Sequence, residues 1–321
     1  MKWIVSPDGS GDFVSLQAAA DAAAEYADDS AVIVLRPGIY RERVVLHRDG
    51  LRLLGEDRER CVISASGCAK DRDGNGKERG TFCSATLLVS GRNVTVENLT
   101  VRNDAGDGCA VGQAIALYAA GDGGVYRNLD LLAHQDTLFC GPVNPQVAAF
   151  ISPRQGSAEF SDTDNLGNSP VTRSREFFEN CFIRGDVDFI FGPYRCWFEG
   201  CTLFMNERGG WYTAANTAES QPLGFVFHRC VLTGECAEGA GFLGRPWRRF
   251  ARTVFLRCEM DSHVSPQGFA DWDVERVVTS RLGEYETTGA GALCAARHPD
   301  QRKLTDAEAA NILAERDEFR K

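Results

Sequence analysis

A short pattern recurs along this 321-residue chain. It reads ERCVI at 59–63, ENLTV at 97–101, RNLDL at 127–131, ENCFI at 179–183, EGCTL at 199–203, HRCVL at 228–232 and LRCEM at 256–260. Each copy has a largely polar pair, then Cys or Leu, then any residue, then an aliphatic residue or Met. The middle positions are Cys61, Leu99, Leu129, Cys181, Cys201, Cys230 and Cys258, at unequal intervals of 20 to 52 residues. Imperfect repeats of about 20–30 residues, each a short alternating strand and a turn, bury their apolar side only by stacking on one another. The strands are rich in Val, Ile and Phe and helical patterns are few, so the fold class is all-β, a parallel β-helix solenoid. The aligned Cys and Leu are expected in its interior, where a free thiol behaves as a small hydrophobe. No CxxC pair points to a metal.

A solenoid needs covered ends. SLQAAADAAAEYA at 15–27, with Ser15 as N-cap, predicts a short helix near the start. LTDAEAANILAERDEF at 304–319, with Thr305 and Glu308 in capping-box spacing, predicts another near the end. No linker divides the chain, so one domain over 1–321 is expected. One stretch breaks the rhythm: 140–175 is rich in Pro, Gly, Ser and Asn and reads as a long loop insertion.

A net charge of −10 speaks against nucleic acid and against an anionic membrane surface as partners. No apolar run approaches the length of a membrane span. No h-region with a cleavage site is seen after Met1. These features set the expectation of a cytoplasmic protein with its 12 cysteines reduced.

Most familiar catalytic signals are missing. There is no GxSxG, HExxH or GxxxxGK[ST]. DRDGNG at 71–76 starts like a calcium loop but has Phe82 where the closing Glu belongs, so it reads as a solvated turn. What remains is a sparse set of polar residues in strand-like sequence. Gln113 sits in GQAIALYA, and Gln135 and Asp136 in AHQDTLFC about one coil later. Asp186 and Asp188 sit in GDVDFIFG at 185–192, on one face if that run is a strand, and Arg245 and Trp247 in FLGRPWRR. Two carboxylates, amides and an arginine make an acyl-transfer site without Ser, Cys or metal. One Asp attacks ionised, the other donates a proton, and neighbouring charges separate their pKa values. Amide donors hold the oxyanion. Spacing alone does not favour the active-site reading over a structural one, because Gln ladders stabilise solenoid turns and Asp–Arg pairs can be purely structural.

These segments resemble the pectin methylesterase (pectinesterase) family. The resemblance runs in order through GSGDF at 9–13, GIYRERV at 38–44, TFCSATLLV at 81–89, ENLTVRNDAG at 97–106, QAIAL at 113–117, QDTL at 135–138, GDVDFIFG and LGRPW at 243–247. It implies a right-handed parallel β-helix with short flanking helices. The implied activity is a carboxylic ester hydrolase that removes methyl esters from C6 of galacturonate in pectin or methylated oligogalacturonides. By position, Asp188 is implied as nucleophile, Asp136 as acid and base, Gln135 and Gln113 as oxyanion and positioning amides, and Arg245 as the group that orients Asp188. Trp247, Thr81 and Phe191 are implied as substrate contacts. No cofactor or metal is implied, and a monomer is expected. Asp186 stands where the family commonly has Thr, Ser or Asn and is expected to perturb the pH optimum. The 140–175 segment is expected to wall the groove and favour short oligogalacturonides. Three rivals are a pectate lyase, a carbohydrate-binding solenoid without catalysis, and an esterase of the same fold on another acyl group.

Overall fold

The computed structural model describes residues 1–26, 31–144, 147, 174–272, 279–292 and 294–320. The 140–175 segment therefore lies mostly outside the described residues. The chain clusters into two compact units, Met1–Phe160 and Ser161–Lys321, each taken by itself below.

In the first unit, three strands make one coil and the coils stack as three faces. The first face runs through Lys2–Val5, Val32–Leu35, Arg52–Gly55, Thr95–Glu97 and Gly124–Arg127. The second runs through Gly38–Tyr40, Cys61–Ala65, Thr100–Asn103 and Asp130–Leu132. The third runs through Val44–Leu46, Leu87–Val89, Leu117–Ala119 and Leu138–Cys140. Every one of these pairings is parallel, as the repeat predicts. The second unit repeats the scheme. Its first face is Arg175–Glu179, Arg195–Glu199, Phe225–His228, Arg252–Leu256 and Arg281–Tyr285. Its second is Phe182–Gly185, Thr202–Met205, Val231–Gly234 and Glu259–Met260, and its third pairs Ile190–Gly192 with Thr213–Ala215.

The recurring pattern turns out to be a corner. Asn98, Asn128, Asn180, Gly200, Arg229 and Arg257 each immediately precede a ladder residue, and all have φ between 50° and 60°. A single left-handed residue swings the chain from the first face to the second, and Asn and Gly enter that region at least cost. Asn98 adds a stacking bond, its Nδ2 donating to the Gly55 carbonyl of the preceding coil at 2.9 Å. The next residue then points inward: Cys61, Leu99, Leu129, Cys181, Cys201, Cys230 and Cys258 are all at most 1% exposed. The thiols do more than fill space. Cys201, Cys230 and Cys258 donate to the carbonyls of Phe178, Phe198 and Phe227, one coil back. Beside them Phe178, Phe198, Phe227 and Phe255 stack face to face at 4.5–4.8 Å.

Both expected helices form. Helix α1 (Leu16–Ala24) is capped by Ser15, whose Oγ accepts from Ala18 N. Glu42 finishes the cap, accepting from Leu16 N, Gln17 N and Ser15 Oγ. A one-turn helix α2 (Gly108–Val111) precedes Gln113. Helix α3 (Asp306–Ala314) opens on the full Thr305–Glu308 capping box. None of the described helices is long and apolar enough to cross a membrane. The 71–76 turn is a tight reversal in which Asp73 accepts from Asn75 N and Lys77 N.

Candidate active site

In the first unit, the candidate residues lie on the corner between the second and third faces. The 133–137 turn joins Asp130–Leu132 to Leu138–Cys140 and carries Gln135 and Asp136. Asp136 is 8% exposed and has φ 65°. A non-glycine residue in that region costs about 1–2 kcal/mol, so the conformation is imposed by the surrounding corner. Gln113 lies on the same corner one coil earlier. The register differs slightly from the sequence expectation. Leu117 pairs with Leu138, so it is Ala114 N that bonds the Gln135 carbonyl at 3.1 Å, and Gln113 is offset by one residue. Gln135 is held from the side by α2. A Cβ on Gly108 would come within 2.7 Å of Gln135 Cβ and 2.8 Å of its Oε1, so only a glycine admits the amide. Thr81 opens a short 3₁₀ turn, Thr81–Ser84, and Phe82 behind it packs on Phe139 and Tyr118.

In the second unit, GDVDFIFG is not one strand. Residues 186–188 form a bend between Phe182–Gly185 and Ile190–Gly192, and Asp188 has φ 51°. The bend breaks the alternation that would have put Asp186 and Asp188 on one face. Asp186 is 1% exposed; its carboxylate accepts from Val187 N at 2.8 Å and Asn206 Nδ2 at 3.2 Å. Asp188 is 7% exposed and takes both arms of one guanidinium: Arg245 Nε to Oδ1 at 2.9 Å, Nη2 to Oδ2 at 2.7 Å. Burial pushes the Asp188 carboxyl above its ordinary value, while the Arg245 fork pulls it back.

The arginine is itself clamped. Its guanidinium carbon lies 3.9 Å from the Trp211 ring centroid and 4.2 Å from that of Trp272. Two indole faces and a bidentate carboxylate fix the plane of the fork. Trp211 also braces the bend, since its N–H donates to the Asp186 carbonyl at 2.9 Å and its carbonyl accepts from Phe189 N at 3.3 Å. A Cβ at Gly210, which has φ 145°, would sit 2.4 Å from that same Asp186 carbonyl, so the glycine permits the docking. Arg245 N and Trp247 N bond Thr213 O and Ala215 O, laying LGRPW along that strand. Trp247 then meets Phe191 at 5.9 Å. Thus Asp188, Arg245, Trp247 and Phe191 come together in this unit. Trp211 and Trp272 belong with them and were not singled out from the sequence.

The sequence model of the pectinesterase family matches residues 2–144 and 168–315. The chain belongs to the pectinesterase family. Pectinesterase 31 of Arabidopsis thaliana is 29% identical over 316 residues, covering 96% of this chain and 89% of that one. The pectin methylesterase from carrot superposes with a TM-score of 0.78 at 29% identity, covering 96% of this chain and 89% of that one. A pectin methylesterase in complex with hexasaccharide VII superposes with a TM-score of 0.74 at 29% identity, covering 96% and 94%. Pectin methylesterase structures are right-handed parallel β-helices, and the expected fold class holds. The chain is a carboxylic ester hydrolase acting on the methyl esters of pectin. Family membership also corrects the cytoplasmic expectation. Its homologues are cell-wall pectinesterases, whose polymer lies outside the membrane, and the start of the sequence carries no weight against that.

Proposed function

We propose that Asp188 is the nucleophile and Asp136 the proton carrier for the demethylation of pectin. The ionised Asp188 attacks the C6 carbonyl, and the oxyanion is held by the side-chain amides of Gln113 and Gln135. As the tetrahedral species collapses, the C–O bond to methoxide breaks and Asp136 supplies its proton, releasing methanol and leaving an Asp188 anhydride. Asp136, now ionised, takes a proton from water, whose oxygen attacks the anhydride, freeing galacturonate and Asp188. The reading requires both carboxylates to act on one ester. The observation that carries it is the buried Asp188 with both oxygens held by Arg245. The Arg245 fork favours the ionised carboxylate against the burial that raises its pKa, and desolvation keeps that carboxylate reactive. Trp247 and Phe191 offer adjoining aromatic faces suited to a pyranose ring.

The proposed substrate is pectin itself. The short-oligomer preference drew on the 140–175 segment, which lies largely outside the described residues, and on a cytoplasmic setting that the family overturns.

Methanol release from methylated pectin tests the roles. Asp188→Ala is expected to lose about 10⁴-fold or more in kcat, and Asp136→Asn a comparable amount with methanol release impaired. Residual turnover by Asp188→Ala within about tenfold of the parent would remove Asp188 from the nucleophile role.

A further inference from the structure

A cavity of about 390 Å³ lies in the second unit between α3 and the strands of the first face. Nothing in the proposed ester chemistry uses it. The helix above it is shallowly seated. Its apolar positions Ala309, Ile312 and Leu313 follow helical spacing, yet only Ala309 is buried and Ile312 is half-buried. Val226 and Val254, register partners on adjacent strands, line the same cavity as Ile312 and Leu304. Protein interiors ordinarily fill such contacts, leaving few voids larger than a water molecule. At about 30 Å³ per water-sized group, this one has room for on the order of ten heavy atoms, against largely aliphatic walls.

One side of the cavity is basic. Arg252 and Arg281 are register partners on neighbouring strands, and both line it. Like charges placed side by side on a sheet repel. Arg252 is 8% exposed. Its Nη1 and Nη2 donate to the carbonyls of Pro222 at 3.2 Å and Glu219 at 2.9 Å, while its Nε is buried without a hydrogen-bond partner. Burial, and after it the charge of Arg281, pulls the Arg252 pKa below its ordinary value, with the Glu219 charge opposing. The exposed Arg281 side chain makes no hydrogen bond or ion pair with any described residue. The acids on the wall do not answer this charge. Glu308 pairs with Arg302 at 2.5 Å and caps α3, and Glu315 bonds neither Arg252 nor Arg281. A buried guanidinium held only by carbonyls is costly, and an anion seated beside it lifts that cost.

We infer that this cavity binds an aliphatic carboxylate, its chain between α3 and the two valines and its head group on Arg252 and Arg281. Both halves of the ligand are matched: aliphatic walls take the tail, and adjacent guanidinium groups supply the donors that a carboxylate accepts. A molecule so placed ties α3 to the first face and stabilises the folded chain by mass action. The site is independent of Asp188 and of the ester being cleaved.

Calorimetry with octanoate on the full chain tests this, with acetate and octanol supplying the head group and the tail alone. Saturable single-site binding of octanoate and a rise in melting temperature are expected, with acetate and octanol at least about tenfold weaker. Arg281→Gln, at an exposed position, is expected to lose about tenfold in affinity, and Arg281→Lys to keep part of it. Ile312→Trp fills the cavity from the helix side and is expected to abolish binding while methanol release from pectin stays at the wild-type rate. Arg252→Gln removes the buried contact; should it misfold, Arg281→Gln and Ile312→Trp still decide. Absence of saturable octanoate binding overturns the inference, and so does an affinity left unchanged by either Arg281→Gln or Ile312→Trp.

Discussion

Asp188 shows how one residue is tuned by opposed influences. Burial raises its pKa and the Arg245 fork opposes the rise. A nucleophile must be ionised, so activity is lost as pH falls through that raised pKa. Arg245→Lys replaces a fork with a single point of charge and weakens the opposing influence. The acid limb of the kcat/KM profile is expected to move to higher pH by at least half a unit, with kcat down about tenfold or more; an unmoved limb would separate Arg245 from the ionisation of Asp188. Trp211 acts through Arg245 as a positioning residue. Trp211→Leu is expected to lower kcat about tenfold while KM changes little, and Trp211→Phe to recover most of it; stopped-assay kinetics on pectin distinguishes this from a general loss of folded protein, which would lower both variants alike. Among these residues, Asp188, Arg245 and Trp247 could be read from the sequence because two short motifs, GDVDFIFG and LGRPW, carry them. Trp211 and Trp272 could not, since an indole over a guanidinium depends on how distant turns meet rather than on local spacing.

At the scale of the element, the corner is the unit of construction. The repeat was legible because Cys and Leu mark the inward residue, but the pattern was read as strand and turn without its cause. The cause is the left-handed residue just before six of the seven marks, all but Cys61, and it explains why Asn is frequent there. Arg229 is an expensive occupant: it is exposed, has φ 54°, and its side chain makes no bond to any described residue. Arg229→Asn is expected to stabilise the protein by about 1 kcal/mol in urea unfolding. The same reasoning explains the misread GDVDFIFG. Alternation of apolar residues announces a strand, and only a bend centred on an Asp with positive φ breaks it, so sequence periodicity placed Asp186 and Asp188 on one face where the structure separates them. At the other carboxylate, the Gly108 notch sets a clear outcome. Gly108→Ala is expected to displace the Gln135 amide and cut kcat about tenfold or more, with a melting temperature near that of the parent.

For the molecule as a whole, the second unit fastens its C-terminal segment to its first face through buried charge. Glu199 accepts from Trp197 Nε1 and His228 Nδ1, both at 3.0 Å, and from Arg316 Nε at 2.8 Å. Burial works to raise its pKa, but these donors together hold it at about 2. A carboxyl with a depressed folded pKa adds stability above its unfolded value and loses it as pH falls. Glu199→Gln is therefore expected to cost about 1–2 kcal/mol at neutral pH after solvent screening, with the gap to wild type closing between about pH 4.5 and pH 2. Solenoid architecture and both capped helices were legible because repeats and caps are local. This fastening was not, since it joins residues more than a hundred positions apart. The column of thiols has one more consequence, in the language of reagents rather than of packing. Cys109 and Cys294 are exposed and Cys236 is half-buried, while the other nine cysteines are buried. An aromatic disulfide added to the folded protein should colour rapidly with two equivalents, then stall, and the remaining absorbance should rise only as fast as the coils open, so that the ladder meters its own unfolding without any label having been installed.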